Sequence, residues 1–176
     1  MKALAYIISA VFAYFVSGLN PAIIMSKAIY KKDIRTCGSG NPGFTNFKRV
    51  FGNKYAWFVF VLDILKGAVI SVVAGLLFRG YVGSWALGVA YAGLFAMLGH
   101  AFPIYYGFKG GKGFLVCLST VWFIDWRAGA IATAVLVIML PLTKYMSLST
   151  MSALVAGAVA VAAFGGGLAV SIMYAV

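Results

Sequence analysis

Long apolar runs separated by short polar loops dominate the chain. A membrane-crossing helix needs about 20 apolar residues at about 1.5 Å each. On that ruler a first span runs from about residue 3 to 29, interrupted at Gly18-Leu19-Asn20-Pro21. A polar, basic loop from Tyr30 to about Lys54 leads to a second span over residues 55–78 and a third over 84–106. Pro103 is expected to bend the third span. Two short apolar segments follow, 114–124 and 128–142, separated by Asp125-Trp126-Arg127. A further run covers 148–164, and after Gly165-Gly166-Gly167 comes a last piece, 168–176. The pattern predicts an all-α, polytopic membrane bundle. Six spans are expected if both short segments cross, with a seventh begun. One domain covers residues 1–176, and the chain is expected to stop within its last span. The N-terminal run lacks a small-x-small cleavage site, so it reads as a retained span and not a removed signal.

Composition agrees with that pattern. Of 176 residues, 64% are hydrophobic and 10% charged, with a mean hydropathy of +1.01; these charges are too few for the polar skin of a soluble domain. Lys and Arg number 14 against 3 acidic residues. Ten of the basic residues (27, 31, 32, 35, 48, 49, 54, 109, 112 and 144) fall on one side of the expected bundle and three (2, 79 and 127) on the other, with Lys66 inside the second span. Positive loops stay on the cytoplasmic side, which places the N-terminus outside. Basic residues that flank apolar segments suit a lipid bilayer and phosphorylated ligands; no nucleic-acid partner is expected. Cys37 and Cys117 share no metal spacing and read as free thiols.

Two cytoplasmic loops carry the candidate chemistry. In GSGNPGFTNFKR, Gly38 to Arg49, glycines allow a ligand close to backbone amides, and Arg49 is suited to a bidentate grip on phosphate. Composition alone leaves that stretch between a ligand loop and a solvated turn. In FKGGKG, Phe108 to Gly113, successive amides are able to converge on an anion, and the loop opens a helix whose free N–H groups add to the attraction. The spacing is not that of a Walker A loop. His100, the single histidine, begins this segment. It is either a hydrogen-bonded structural residue or an acid/base candidate, with no acid near it in sequence. Asp63 and Lys66 lie three apart inside the second span, so one helical face brings them together as a structural ion pair.

In order and spacing these stretches resemble the bacterial PlsY family, membrane glycerol-3-phosphate acyltransferases that use acyl phosphate. The resemblance is carried by GSGNPGFTNFKRVFG (Gly38 to Gly52), LDILKG (Leu62 to Gly67), GHAFPIYYGFKGGKG (Gly99 to Gly113) and KYMSLS (Lys144 to Ser149). It implies acyl transfer from acyl phosphate to the 1-hydroxyl of sn-glycerol 3-phosphate, giving lysophosphatidic acid and phosphate. It also implies the bacterial inner membrane, and neither metal nor cofactor. The candidate catalytic residues are then Ser39, Asn46, Arg49, His100, Lys112 and Ser147. The candidate substrate-binding residues are Gly40, Asn41, Lys109, Gly110, Gly111 and Gly113. Within these, Gly110, Gly111 and Gly113 map to the acyl-phosphate group, and Arg49, Lys112 and Ser147 to glycerol phosphate. The family's C-terminal His-x-x-Asn element has no counterpart after Gly167, and Phe44 stands where alanine is common. The competing reading is a small phosphate or anion transporter. Against it, the spans carry no inverted repeat and the polar residues gather at one face, not at the midplane.

Overall fold

The computed structural model describes residues 1–167 and 170–172. Those residues form helices and loops, as the apolar pattern predicts. Eight α-helices follow in order: α1 (Lys2–Gly18), α2 (Pro21–Tyr30), α3 (Phe44–Phe51), α4 (Asn53–Tyr81), α5 (Trp85–Ala101), α6 (Phe114–Ile124), α7 (Trp126–Thr143) and α8 (Met146–Ala163). Short 3-10 turns lie at Ile34–Thr36 and Ile104–Tyr106. Among the described residues five stretches are long and apolar enough to cross a membrane: Lys2–Tyr30, Asn53–Tyr81, Trp85–Tyr106, Trp126–Thr143 and Met146–Ala163. Of the two short expected segments, 128–142 lies within α7, which is long enough, and 114–124 is the shorter one. Helix α6 has 11 residues, about 16 Å at 1.5 Å per residue, roughly half a hydrocarbon core. The seventh expected span lies largely outside the described residues.

The break in the first span has a specific cause. Pro21 has no N–H to offer the Ser17 carbonyl four residues back, so α1 stops and α2 starts afresh. Asn20 caps the new helix by accepting the Ile23 N–H at 3.0 Å. The stranded Ser17 carbonyl accepts instead from Lys66 Nζ on α4 at 3.0 Å, and Leu19 O is 3.4 Å from the same ammonium.

Pro103 acts more strongly than the expected bend. It ends α5 at Ala101, because the residue before a proline is pushed out of helical backbone; Phe102 sits at φ −126°, ψ 58°. The chain then turns through Ile104–Tyr106 into the glycine-rich loop.

Small residues let the helices close on one another, as is usual in membranes. A Cβ at Gly99 would collide with the backbone carbonyl of Tyr14, so α1 and α5 touch main chain to main chain there. Gly67 on α4 likewise leaves room for Ser119 of α6, whose hydroxyl donates to Ile64 O at 3.0 Å. Helices α7 and α8 are the peripheral pair, less buried within the bundle than the first three spans. Asp125 makes the corner between α6 and α7 by accepting the Arg127 N–H at 2.8 Å.

Candidate active site

Two loops meet at the end of the bundle where α1 breaks and α5 stops. The first, residues 31–43, is held from three directions. Asn46 on α3 is buried and fully committed: its Oδ1 accepts the Ser39 N–H at 2.9 Å and its Nδ2 donates to Cys37 O at 2.9 Å. Asn20 Nδ2 donates to Pro42 O at 3.1 Å. Asp33 receives Arg35 in a fork, with Nε at 3.0 Å from Oδ1 and Nη2 at 2.7 Å from Oδ2, and Lys27 Nζ lies 3.2 Å from Oδ2. That hydrogen-bonded guanidinium holds the Asp33 carboxyl well below the ordinary value of 3.8 and raises Arg35 in return.

The same arginine reaches the second loop. Arg35 Nη1 donates to Tyr106 O at 2.8 Å and to Lys109 O at 3.1 Å, so one planar fork joins both loops. An open cleft of about 560 Å³ lies over this junction, lined by Asp33, Arg35, Thr36, Gly40, Tyr106, Gly107, Lys109 and Gly110.

The glycine-rich loop differs from the sequence expectation in one important detail. The Gly110 N–H donates to Ala101 O and the Gly111 N–H to His100 O, each at 3.0 Å. These two amides are therefore not free to meet an anion. Their glycines serve close approach instead. A Cβ at Gly110 would strike His100 O, and one at Gly111 would lie 2.5 Å from His100 Nε2 and 3.0 Å from Pro42 O. The donors that lack an intrahelical acceptor lie further on, in the first turn of α6. Its N-cap, Gly113, has φ +73° and supplies no side-chain cap, so the following amides point out of the helix end.

The remaining expected residues fall into two kinds. Arg49, Lys109 and Lys112 are exposed, and among the described residues their side chains make no hydrogen bond or ion pair. Ser39 is also exposed, while Asn41 is half-buried beside it. Ser147 is exposed in the first turn of α8, where its carbonyl accepts the Thr150 hydroxyl at 2.9 Å; no hydrogen bond among the described residues links it to either loop.

His100 is where packing adds what the linear reading missed. It is 3% exposed, and its Nδ1 lies 2.9 Å from Lys66 Nζ and 3.9 Å from Asp63 Oδ1. Lys66 Nζ is 2.8 Å from Asp63 Oδ1, as the i, i+3 spacing predicts. Among the described residues that oxygen is paired with the ammonium by charge and distance and accepts no other hydrogen bond. Two ionisable residues in an apolar span signalled a partner. Their third member, 34 residues away, had no local signal. Arg35 was likewise legible only as a basic residue, not as the link between loops.

A model of the glycerol-3-phosphate acyltransferase family matches residues 7–176. A glycerol-3-phosphate acyltransferase of Thermoanaerobacter pseudethanolicus is 40% identical over 146 residues, which is 83% of this chain and 71% of the relative. One from Coxiella burnetii is 34% identical over 153 residues, 87% and 77% of the two chains. The crystal structure of PlsY (YgiH), an integral membrane glycerol 3-phosphate acyltransferase, superposes in its glycerol 3-phosphate form with a TM-score of 0.86 at 29% identity. That superposition covers 96% of this chain and 82% of the other. Its lysophosphatidic acid form gives 0.82 at 28%. The family match runs through both loops and into every helix, and the chain belongs to the glycerol-3-phosphate acyltransferase family.

Proposed function

We propose that this multi-pass membrane acyltransferase moves a fatty acyl group from acyl phosphate to the 1-hydroxyl of sn-glycerol 3-phosphate at the cytoplasmic face of a bacterial inner membrane. The observation that carries the reading is the Arg35 fork. It brings a polar, glycine-containing loop and a basic glycine-rich loop side by side at the end of an apolar bundle. Two phosphorylated substrates, one with an acyl chain for the lipid, need such a place.

In this reading the donor's phosphate lies on the glycine-rich loop, against the first-turn amides of α6 after Gly113 and near Lys109. Gly110 and Gly111 shape that surface by letting the loop lie flat on His100. Arg49 and Lys112, whose side chains have no partner among the described residues, grip the phosphate of glycerol 3-phosphate, with Ser147 as a further contact. Ser39, Gly40 and Asn41 edge the pocket, and Asn46 holds their backbone in place. The 1-hydroxyl oxygen attacks the acyl carbonyl carbon, and the bond from that carbon to the phosphate oxygen breaks. The hydroxyl proton passes to the departing phosphate, itself a competent acceptor, so positioning and charge stabilisation carry the step. The products are lysophosphatidic acid and inorganic phosphate.

The test is turnover of purified protein with labelled acyl phosphate and glycerol 3-phosphate. One phosphate released per lysophosphatidic acid formed is expected; uptake of glycerol 3-phosphate into vesicles with no acyl transfer would favour transport instead. Orientation is checked separately: a membrane-impermeant maleimide should label Cys37 in inside-out vesicles and not in right-side-out ones.

A further inference from the structure

The cluster of Asp63, Lys66 and His100 touches the glycine-rich loop, yet the acyl-transfer steps leave it without a task. Lys66 is surrounded by acceptors: Ser17 O at 3.0 Å, Leu19 O at 3.4 Å and Asp63 Oδ1 at 2.8 Å. A side chain in that setting is an ammonium, which has three donors and no lone pair. Its remaining close neighbour is His100 Nδ1 at 2.9 Å. Nδ1 must therefore accept, and the ring's proton lies on Nε2. A doubly protonated ring would press two cations together at that distance. Nε2 is also the nitrogen that faces the loop, where a Cβ at Gly111 would come within 2.5 Å of it. No hydrogen-bond partner for Nε2 occurs among the described residues.

We propose that Asp63 and Lys66 are positioning residues that hold His100 in its neutral Nε2–H form, so that the ring presents a hydrogen-bond donor, and not a base, to the phosphate bound at the glycine-rich loop. Asp63 keeps Lys66 charged. Lys66 turns the imidazole, and at the same time satisfies the Ser17 carbonyl that Pro21 leaves open. The device thereby couples the break in the first span to the loop's donor set. The phosphate as ligand rests on the proposed function; the tautomer does not.

These 176 residues contain one histidine, so 15N-histidine label in the tag-free 176-residue chain reports on this ring alone. The expected spectrum shows one protonated nitrogen, assigned to Nε2 by its coupling to both ring carbon-bound protons, and an unprotonated Nδ1. Lys66→Met should give a mixture of tautomers. A proton on Nδ1, or on both nitrogens, in the unsubstituted protein overturns the proposal whatever the variants do. Kinetics supply the second arm. Gln keeps an amide N–H close to the Nε2 position, so His100→Gln should hold KM for acyl phosphate within a few-fold. His100→Ala should raise it by about 10- to 100-fold, the loss of one charge-assisted hydrogen bond. Equal damage from both variants would reject the donor role. A failed turnover assay with the expected spectrum would instead reject the substrate assignment and leave the tautomer standing.

Discussion

Two braces serve the loop end of the bundle, one at the water edge and one buried among helices. At the water edge Arg35 links Asp33 to the carbonyls of Tyr106 and Lys109, with the ion pair's side chains 22% and 21% exposed. Inside, Lys66 links Asp63, His100 and the broken end of α1, with Lys66 7% and Asp63 3% exposed. Both use one cation to collect backbone carbonyls and a carboxylate. Their energetics differ because water can replace a lost partner at the first and cannot at the second. An exposed ion pair contributes roughly 0–1 kcal/mol. Removing one member of a buried pair costs about 3–5 kcal/mol, because the other charge is left uncompensated. The outer brace therefore sets geometry, whereas the inner one sets geometry and stability together.

The sharpest break in that comparison is Lys66→Met. It strands Asp63 and the Ser17 carbonyl, and should lower stability by about 3–5 kcal/mol, read as a large fall in Tm in detergent. Asp63→Asn combined with Lys66→Met should recover part of the loss, since no naked charge remains. Equal Tm values for the single and double variants would show that charge is not what matters there.

Next in size come the exposed cations. Arg49→Ala and Lys112→Ala should each weaken glycerol 3-phosphate binding by about 1.5–3 kcal/mol, the value of a hydrogen bond to a charged group, while Tm stays put. Gly111→Val should behave differently: its side chain meets His100 Nε2 and Pro42 O, and overpacking costs about 1–3 kcal/mol. It should raise KM for acyl phosphate more than KM for glycerol 3-phosphate.

The smallest effect belongs to the outer brace. Arg35→Ala should cost about 1 kcal/mol or less in stability, yet raise both KM values by loosening the loop junction. Its pH signature follows from the sign of the shift. Arg35 depresses the folded Asp33 carboxyl below 3.8, so the contribution is fully present above that value and is lost as pH falls through the lower folded one. Unfolding of wild type and Arg35→Ala compared from pH 5 to 8 should therefore show a constant gap, with narrowing confined to pH below about 4.

The position of the outer loops was legible because its signal is local: glycines, Arg49, Lys109 and Lys112 interrupt the apolar runs, and those runs place them at one end of a bundle. The break before Pro21 and the Asp63–Lys66 pair were legible for the same reason, a missing donor and a helical spacing. What escaped the linear reading depends on contacts between distant segments. A glycine pattern does not say which carbonyls will face Gly110 and Gly111, so their amides read as free when His100 and Ala101 claim them. His100 has no partner near it in sequence because Lys66 lies 34 residues away. Pro103 was expected to bend the third span, whereas the α-helix ends at Ala101 because the residue before a proline leaves helical backbone, and Ile104–Tyr106 continues as a 3-10 turn.

The central claim is that Arg49, on α3 directly after the first loop, and Lys112 of the glycine-rich loop build one site and act on the same glycerol 3-phosphate. A double-mutant cycle on that binding step tests it directly. Groups that share a ligand couple, so the double variant Arg49→Ala with Lys112→Ala should depart from the sum of the singles by more than about 0.5 kcal/mol. Additivity within about 0.3 kcal/mol, the behaviour of independent sites, would contradict a shared site.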